Sequence, residues 1–454
     1  MISRDNSIMG QLCDYVSQAQ KADLPRDVIS KTKHHILDTF AAMVSGFRLK
    51  PGRLIVEYVQ HQEEACDAQV VGSALLSSAV NAALANGIMA HSDETDDSHA
   101  PSMTHPGCAI VPAALAMAER EGCDGKTFIN AVVLGYDVGC RVSRALVPLV
   151  YRSRGHCSHS IGGTFGAAAA AACVAGLDAT QVRYALSYAA QQASGVGAHV
   201  GGQDHVEKAF VLGGMPARNG VTAATLVQAG FTGIADIFQG ERNFLEAYSS
   251  DPRPEELIRG LGVHYEIMQT NIKKFSVGSP IQAALEALLQ TMAENGLKAE
   301  NVAHLVARLP EGEAVTVNNR HMPDINLQYI LSVVLLDGKL SFEAAHSFER
   351  MRDPRVLEIM SRIELKPDPE LTRARPPRQA VVEVSTGDGR HLIRRVVSVR
   401  GTAENPMTTE EVEKKAKDLI SPVTGREKCD QLVRMVEEIQ EVTDMRGFRS
   451  VLSV

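Results

Sequence analysis

The sequence predicts a mainly α protein: a helical block over roughly the first 250 residues, a separate α+β unit near 265–400, and C-terminal helices that return to the first block. Three observations predict this. Apolar residues recur at three-and-four spacing through the first block and again after Pro406. The apolar stretches are Ala-rich, there is no Trp, and aromatics make up only 5% of the chain, so the core is built from small and aliphatic side chains that suit close helix packing. Between 265 and 400 the pattern shifts toward alternation and contains one clear hairpin signal.

Taken in order, Ile8, Leu12, Tyr15 and Val16 mark a helix over 7–22. Val28, Ile29, Ile36, Leu37, Phe40 and Met43 mark a second over 26–47, ending near Gly46. A third covers 51–62. Residues 70–75 form an apolar piece with no assignable type. The run SAVNAALANGIMA is a small-residue helix over 78–90 that leads into a polar, Pro-broken loop. Helices follow at 109–121, 126–149, 162–175, 180–193 (with Thr180 as N-cap) and 216–230, then short pieces at 234–238 and 241–248. No strand is expected before 250. Strands are expected at 302–309 and 360–365. Ala380-Val-Val-Glu-Val-Ser and His391-Leu-Ile-Arg-Arg-Val-Val-Ser-Val flank a Thr-Gly-Asp-Gly turn and form the hairpin. Helices lie at 280–295, 325–336, 342–349, 408–420 and 425–440.

Totals exclude several function classes. A chain of 454 residues has room for roughly two to three domains. A net charge of −8 gives no basic surface for nucleic acid. The longest apolar run, 166–176, falls short of the ~18 residues a membrane span needs. The polar N-terminus carries no export pattern. Eight cysteines without a CxxC pair read as reduced cytoplasmic thiols and form no zinc site. There is no GxGxxG, P-loop, GxSxG or pyridoxal-phosphate signature, so no cofactor is expected.

Four clusters carry candidate chemistry. The first is His91-Ser-Asp93-Glu94-Thr-Asp96-Asp97-Ser98-His99, followed by Thr104-His105-Pro106-Gly107. Histidine beside carboxylate supplies an acid and a base, because burial and neighbouring charge separate their pKa values. The alternative is an acidic surface loop. Three histidines and four carboxylates can also bind metal, but no HxxxH or HExxH spacing is present, and no metal is expected. The second cluster is Arg152-Ser-Arg154-Gly155-His156-Cys157-Ser158-His159-Ser160, where His156 or His159 would protonate a leaving group at a helix start. In the third, Lys208 and Arg218 would clamp a substrate carboxylate. In the fourth, Lys273 and Lys274 lie where the helical block gives way to the α+β unit. Together they suggest an enzyme for a small polycarboxylate.

The same clusters resemble the 2-methylcitrate dehydratase family (MmgE/PrpD) over nearly the whole chain. The carriers are His91-Ser-Asp-Glu-Thr-Asp96-Asp97-Ser98, Thr104-His105-Pro106-Gly107, Gly163-Thr-Phe-Gly-Ala-Ala, Ala217-Arg218-Asn219-Gly220 with Ala223-Ala224, Gly-Phe-Thr-Gly at 230–233 and Leu335-Leu-Asp-Gly338. The resemblance implies a large all-helical domain formed by both chain ends (1–265 and 403–454), a smaller α+β lid domain (266–402) and a homodimer. It also implies cofactor-independent chemistry on di- or tricarboxylates: methylcitrate dehydration, cis-aconitate decarboxylation or iminodisuccinate epimerisation. The family's loop carboxylate falls on Glu94 or Asp93, its hydroxyl on Ser98, its loop histidine on His105 and its lysines on Lys208 and Lys273. A further family histidine falls near Cys157, so His156 or His159 would take its part. The lid histidine falls on Gly278, a departure that weighs against cis-aconitate decarboxylation. The reading is a cytoplasmic dehydratase, with an epimerase or a non-catalytic ligand-binding relative as alternatives.

Overall fold

A computed structural model describes residues 6–62 and 65–454; the expectation on export rests on residues 1–5, which lie outside them. Helix dominates, and the chain divides into two compact units. The first comprises residues 1–92, 96–271 and 408–454; the second comprises 93–95 and 272–407.

In the first unit six helices position the acidic loop and its neighbours: α1 (Arg26–Phe47), α2 (Ala79–Ala90), α3 (Gly107–Glu121), α4 (Gly125–Ala145), α5 (Ser158–Val174) and α6 (Met215–Gln228). Their small residues set the packing distance. A Cβ on Gly139 would lie 2.6 Å from the Gly162 carbonyl oxygen, so α4 and α5 cross backbone to backbone. The same closeness seats the first turns of α5 against Thr104, whose methyl would be 3.2 Å from a Cβ at position 162. A second glycine contact joins α2 to the segment before α6. There a Cβ on Gly213 would collide with the Gly87 carbonyl oxygen.

Most predicted helices are present, and the differences have local causes. The helix expected over 126–149 ends at Ala145, because Val147 takes a positive φ of 55° and Pro148 begins a separate short helix, Pro148–Ser153. The helix expected from 162 starts at Ser158, which draws His159 into its first turn. Residues 206–214 are helical with a π turn, Phe210–Gly214, that no periodicity signalled. Among the described residues of the first 250 there are also three two-residue strands, Ala68–Gln69, Leu76–Ser77 and Ser98–His99, where none was expected. The unassigned piece at 70–75 is the turn between the first two, held by the Asn86 amide, which donates to the Gln69 carbonyl and accepts from the Val71 N–H. The third pairs antiparallel with Thr270–Asn271.

The second unit is built on a four-stranded sheet of β1 (Val302–Pro310), β2 (Ile363–Asp368), β3 (Ala380–Thr386) and β4 (His391–Val396), in the order β2-β1-β3-β4. β1 and β2 are parallel, which requires the helical crossover between them, and β3 and β4 form the expected hairpin. The strand foreseen at 360–365 begins at Ile363 because Asp353 caps, and Pro354 starts, a helix that runs through Met360. The helix Glu311–Val317 was not foreseen either, and the one placed at 342–349 stops at Ala345. Leu305, Val382, Val384, Leu285 and Val333 are among the buried residues of this unit's core.

Candidate active site

The acidic loop is not a surface loop. Every residue from His91 to His99 is at most 3% exposed. Four carboxylates at that depth need partners, because an unpaired buried charge costs several kcal/mol. The partners come from distant elements.

In the first unit, α2 ends at His91, whose Nδ1 is 2.8 Å from Asp96 Oδ2. The same oxygen lies 3.5 Å from Nδ1 of His105. His105 sits just before α3 and has its Nδ1 2.5 Å from the backbone carbonyl oxygen of Asp97. A carbonyl oxygen can only accept, so Nδ1 carries the hydrogen and Nε2 is the basic nitrogen of the neutral ring. The His105 ring stacks on that of His159, centroids 4.8 Å apart and 20° from parallel, and lies 5.2 Å from the ring of His91. Three imidazoles and one carboxylate thus form one cluster, in which His105 retains 12% of its side-chain exposure.

The Asp97 carboxylate anchors the loop beneath this cluster. One oxygen accepts from the Tyr136 hydroxyl at 2.5 Å and from His35 Nδ1 at 2.8 Å; the other accepts from the Gly107 N–H at 3.0 Å, at the start of α3. Burial holds the His35 ring well below the usual histidine range, aided by nearby Lys31, so it stays neutral and donates to Asp97. Burial, then the Asp97 charge, raises the Tyr136 phenol well above its usual value, which keeps its proton available to the carboxylate. Deeper in the same unit, Asp137 accepts from Tyr15 at 2.6 Å and from the Glu266 N–H at 2.7 Å, and burial pushes its carboxyl up to about 7. His99 reaches Glu266 at 3.1 Å. Although burial pulls the Glu266 carboxyl upward, His99, Arg144 and Arg141 bring it below its ordinary value.

In the second unit, the buried Lys273 ammonium donates to the Glu94 carbonyl at 2.9 Å and to its carboxylate at 3.1 Å. Glu94 holds a positive φ of 56°, and Asp93 stabilises the turn by accepting the Thr95 N–H at 3.0 Å.

His91, Asp96 and His105 are also the one group among the described residues whose donor atoms, all within 4.8 Å of one another, could hold a metal ion. Nδ1 of His91 and of His105 both face oxygen acceptors, so a metal would have to use the Nε2 atoms.

A family model of the MmgE/PrpD N-terminal domain matches residues 10–257, and one of the C-terminal domain matches residues 275–441. The chain belongs to the MmgE/PrpD family. Similar proteins include a cis-aconitate decarboxylase-like protein of Aspergillus oryzae, 24% identical over 99% of this chain and 98% of its own length. The cis-aconitate decarboxylase of Aspergillus terreus is 24% identical over 99% of this chain and 96% of its own. That of Homo sapiens is 25% identical over 94% of this chain and 90% of its own. Among the described residues no helix is long and apolar enough to cross a membrane.

Several residues named from the sequence of this MmgE/PrpD protein come together and others do not. His105 and His159 stack, whereas His156 packs its ring 5.0 Å from that of Tyr248 and pairs its backbone with Val196. In the first unit Asp96 is a carboxylate near His105, at 3.5 Å; in the second, Glu94 bonds Lys273 and Asp93 accepts the Thr95 N–H of its own turn. Ser98 is buried and pairs with Asn271 in the short antiparallel ladder. Lys208 is half-buried on Val206–Ala209, the short helix that leads into the π turn. That turn packs its Leu212 carbonyl 3.6 Å from Cys108 Sγ, which is itself 3.2 Å from the His105 carbonyl. Arg218 bonds Asn219 and covers the Phe210 ring, and Lys274 lies over the Phe275 ring. Sequence reasoning did not assign roles to Asp96, Asp97, His91, His35 and Tyr136. The first three stand in the acidic loop, but nothing local separates their roles. Only the His35 and Tyr136 contacts, 62 and 39 residues away, do so.

Proposed function

We propose that this chain is a cofactor-independent lyase of the 2-methylcitrate dehydratase type, acting on a small di- or tricarboxylate by removing a proton beside a carboxylate and eliminating water. The observation that carries the reading is His105. Its Nδ1–H is committed to the Asp97 carbonyl, so Nε2 is the base, and Asp96 at 3.5 Å stabilises the imidazolium that forms. His159, stacked on the same ring, is the second acid, which delivers a proton to the departing hydroxyl. Lys208 and Lys273 bind substrate carboxylates, with Arg218 and Lys274 as further cations. The enzyme works as a homodimer in the cytoplasm.

A second reading, decarboxylation of cis-aconitate, is favoured by the names of the similar proteins. The same proton transfers serve both, since each reaction passes through a carbanion-like centre beside a carboxylate. The test is incubation of the protein with 2-methylcitrate, citrate and cis-aconitate in deuterated buffer, followed by NMR. Olefinic product from the hydroxy acids supports dehydration. Release of carbon dioxide from cis-aconitate supports the second reading. Deuterium in recovered substrate with neither change points to an epimerase. His105→Ala is expected to lower turnover by roughly 10²–10⁴-fold. Binding without turnover or exchange across the panel refutes the catalytic reading.

A further inference from the structure

The turn that presents Glu94 to Lys273 is held from a place the sequence did not mark. Glu94 is a non-glycine residue in the left-handed region, a conformation that persists only where surrounding contacts determine it. Two of those contacts are the Asp93–Thr95 bond and the bonds from Lys273. The third comes from His346, which follows the short helix Phe342–Ala345 and whose side chain is 9% exposed. Its Nε2 is 2.9 Å from the Asp93 carbonyl oxygen and its Nδ1 is 2.7 Å from the Phe342 carbonyl oxygen. Carbonyl oxygens only accept, so the Nε2 contact is a hydrogen bond donated by the ring to Asp93. The buried Asp324 carboxylate lies 3.8 Å from Nε2, and the Phe342 ring covers the imidazole at 4.3 Å between centroids. All of these residues belong to the second unit.

We propose that His346 is a positioning residue: by clamping the Asp93 carbonyl it keeps Glu94 in the left-handed turn from which its carbonyl and carboxylate hold the Lys273 ammonium in place. The consequence for ligand binding rests on the reading of Lys273 as a substrate-carboxylate residue; the clamp itself does not.

Two substitutions in the full chain separate the nitrogens. His346→Gln keeps a donor near the Nε2 position, facing Asp93, while His346→Asn keeps one near Nδ1 and withdraws the donor from Asp93. The first measurement is hydrogen exchange of the Glu94 and Thr95 amides, which needs no substrate. Exchange is expected to speed up by roughly tenfold in the Asn variant, the order expected for leaving a buried carbonyl without its donor, and to stay near wild type in the Gln variant. The second measurement is steady-state kinetics with whichever of 2-methylcitrate, citrate and cis-aconitate the wild-type protein turns over. KM is expected to rise about tenfold in the Asn variant with kcat within about twofold, and the Gln variant to restore it. Asp324→Asn, which removes the carboxylate beside Nε2 that draws the ring hydrogen to that nitrogen, is expected to speed exchange at the same two amides and serves if the His346→Asn variant does not fold. Equal exchange in the Asn and Gln variants, or wild-type exchange in the Asn and Asp324→Asn variants, overturns the clamp. Faster exchange in the Asn variant with an unchanged KM upholds the clamp and rejects Lys273 as a substrate ligand.

Discussion

Tyr136→Phe tests the anchor beneath the imidazole cluster. The hydroxyl is fully buried and donates to Asp97 Oδ2 at 2.5 Å, so no water replaces it when it is removed. The substitution keeps the ring and its edge contact with His35, 5.6 Å between centroids at 66°. What is lost is one hydrogen bond to a charged acceptor, about 2 kcal/mol by the usual range for such bonds. The carboxylate retains His35 and the Gly107 N–H, which keeps the loss below that of an unpaired buried charge. At roughly 2–4 °C per kcal/mol for domains of a few hundred residues, the melting temperature falls by about 4–8 °C. Tyr151→Phe is the control. Tyr151 is equally buried, but its hydroxyl pairs with the neutral hydroxyl of Ser143 at 2.6 Å, so the expected cost is about 1 kcal/mol or less. Calorimetric melts of the two variants decide the matter. Equal shifts, or a Tyr136→Phe shift within about 1 °C of zero, would refute the claim that Asp97 is a charged anchor.

Two further outcomes rest on the same geometry. Asp137 has a folded-state carboxyl pushed up to about 7 by burial, above its ordinary value of 3.8, so the folded protein holds a proton that the unfolded chain has released. Its contribution is therefore complete below about pH 4 and is lost progressively as pH rises from there through 7, with roughly 1.4 kcal/mol of it lost between pH 6 and pH 8.5 and little above pH 8. Melts at pH 6 and pH 8.5 should show wild type losing more stability than Asp137→Asn over that interval; identical losses exclude this origin. Since a metal held by His91, Asp96 and His105 would have to take Nε2 of His105, the base of the proposed reaction, prolonged dialysis against a strong chelator is expected to leave turnover unchanged, and restoration by added divalent ion after a loss would reverse that expectation.

Much of the fold was legible because it rests on local periodicity. The helices of the first unit repeat their apolar residues every three or four positions, and the β3–β4 hairpin announces itself by alternation around a Gly-Asp-Gly turn. What escaped notice has no period to read. Two-residue strands are too short to alternate, and the π turn at Phe210–Gly214 differs from its neighbours by a single residue of winding. The candidate site divides the same way. Composition marked the loop from His91 to His105, and His105 itself. The assignment of each carboxylate within it was not legible, because a buried acid takes its role from whatever meets it in three dimensions. Asp96, Asp97 and Glu94 are near neighbours in sequence, yet they answer to His105, His35 and Lys273 respectively. His346 is 253 residues from the carbonyl it holds, and no motif links the two.

The glycine contact between positions 87 and 213 has a consequence for anyone reshaping this protein. With no side chain between the two backbones, the seat of the segment that carries Lys208 is set by the thickness of the peptide itself. The place of that segment therefore cannot be tuned there by small increments of volume. Any added carbon displaces that whole segment against α2, and adjustment has to come from side chains elsewhere.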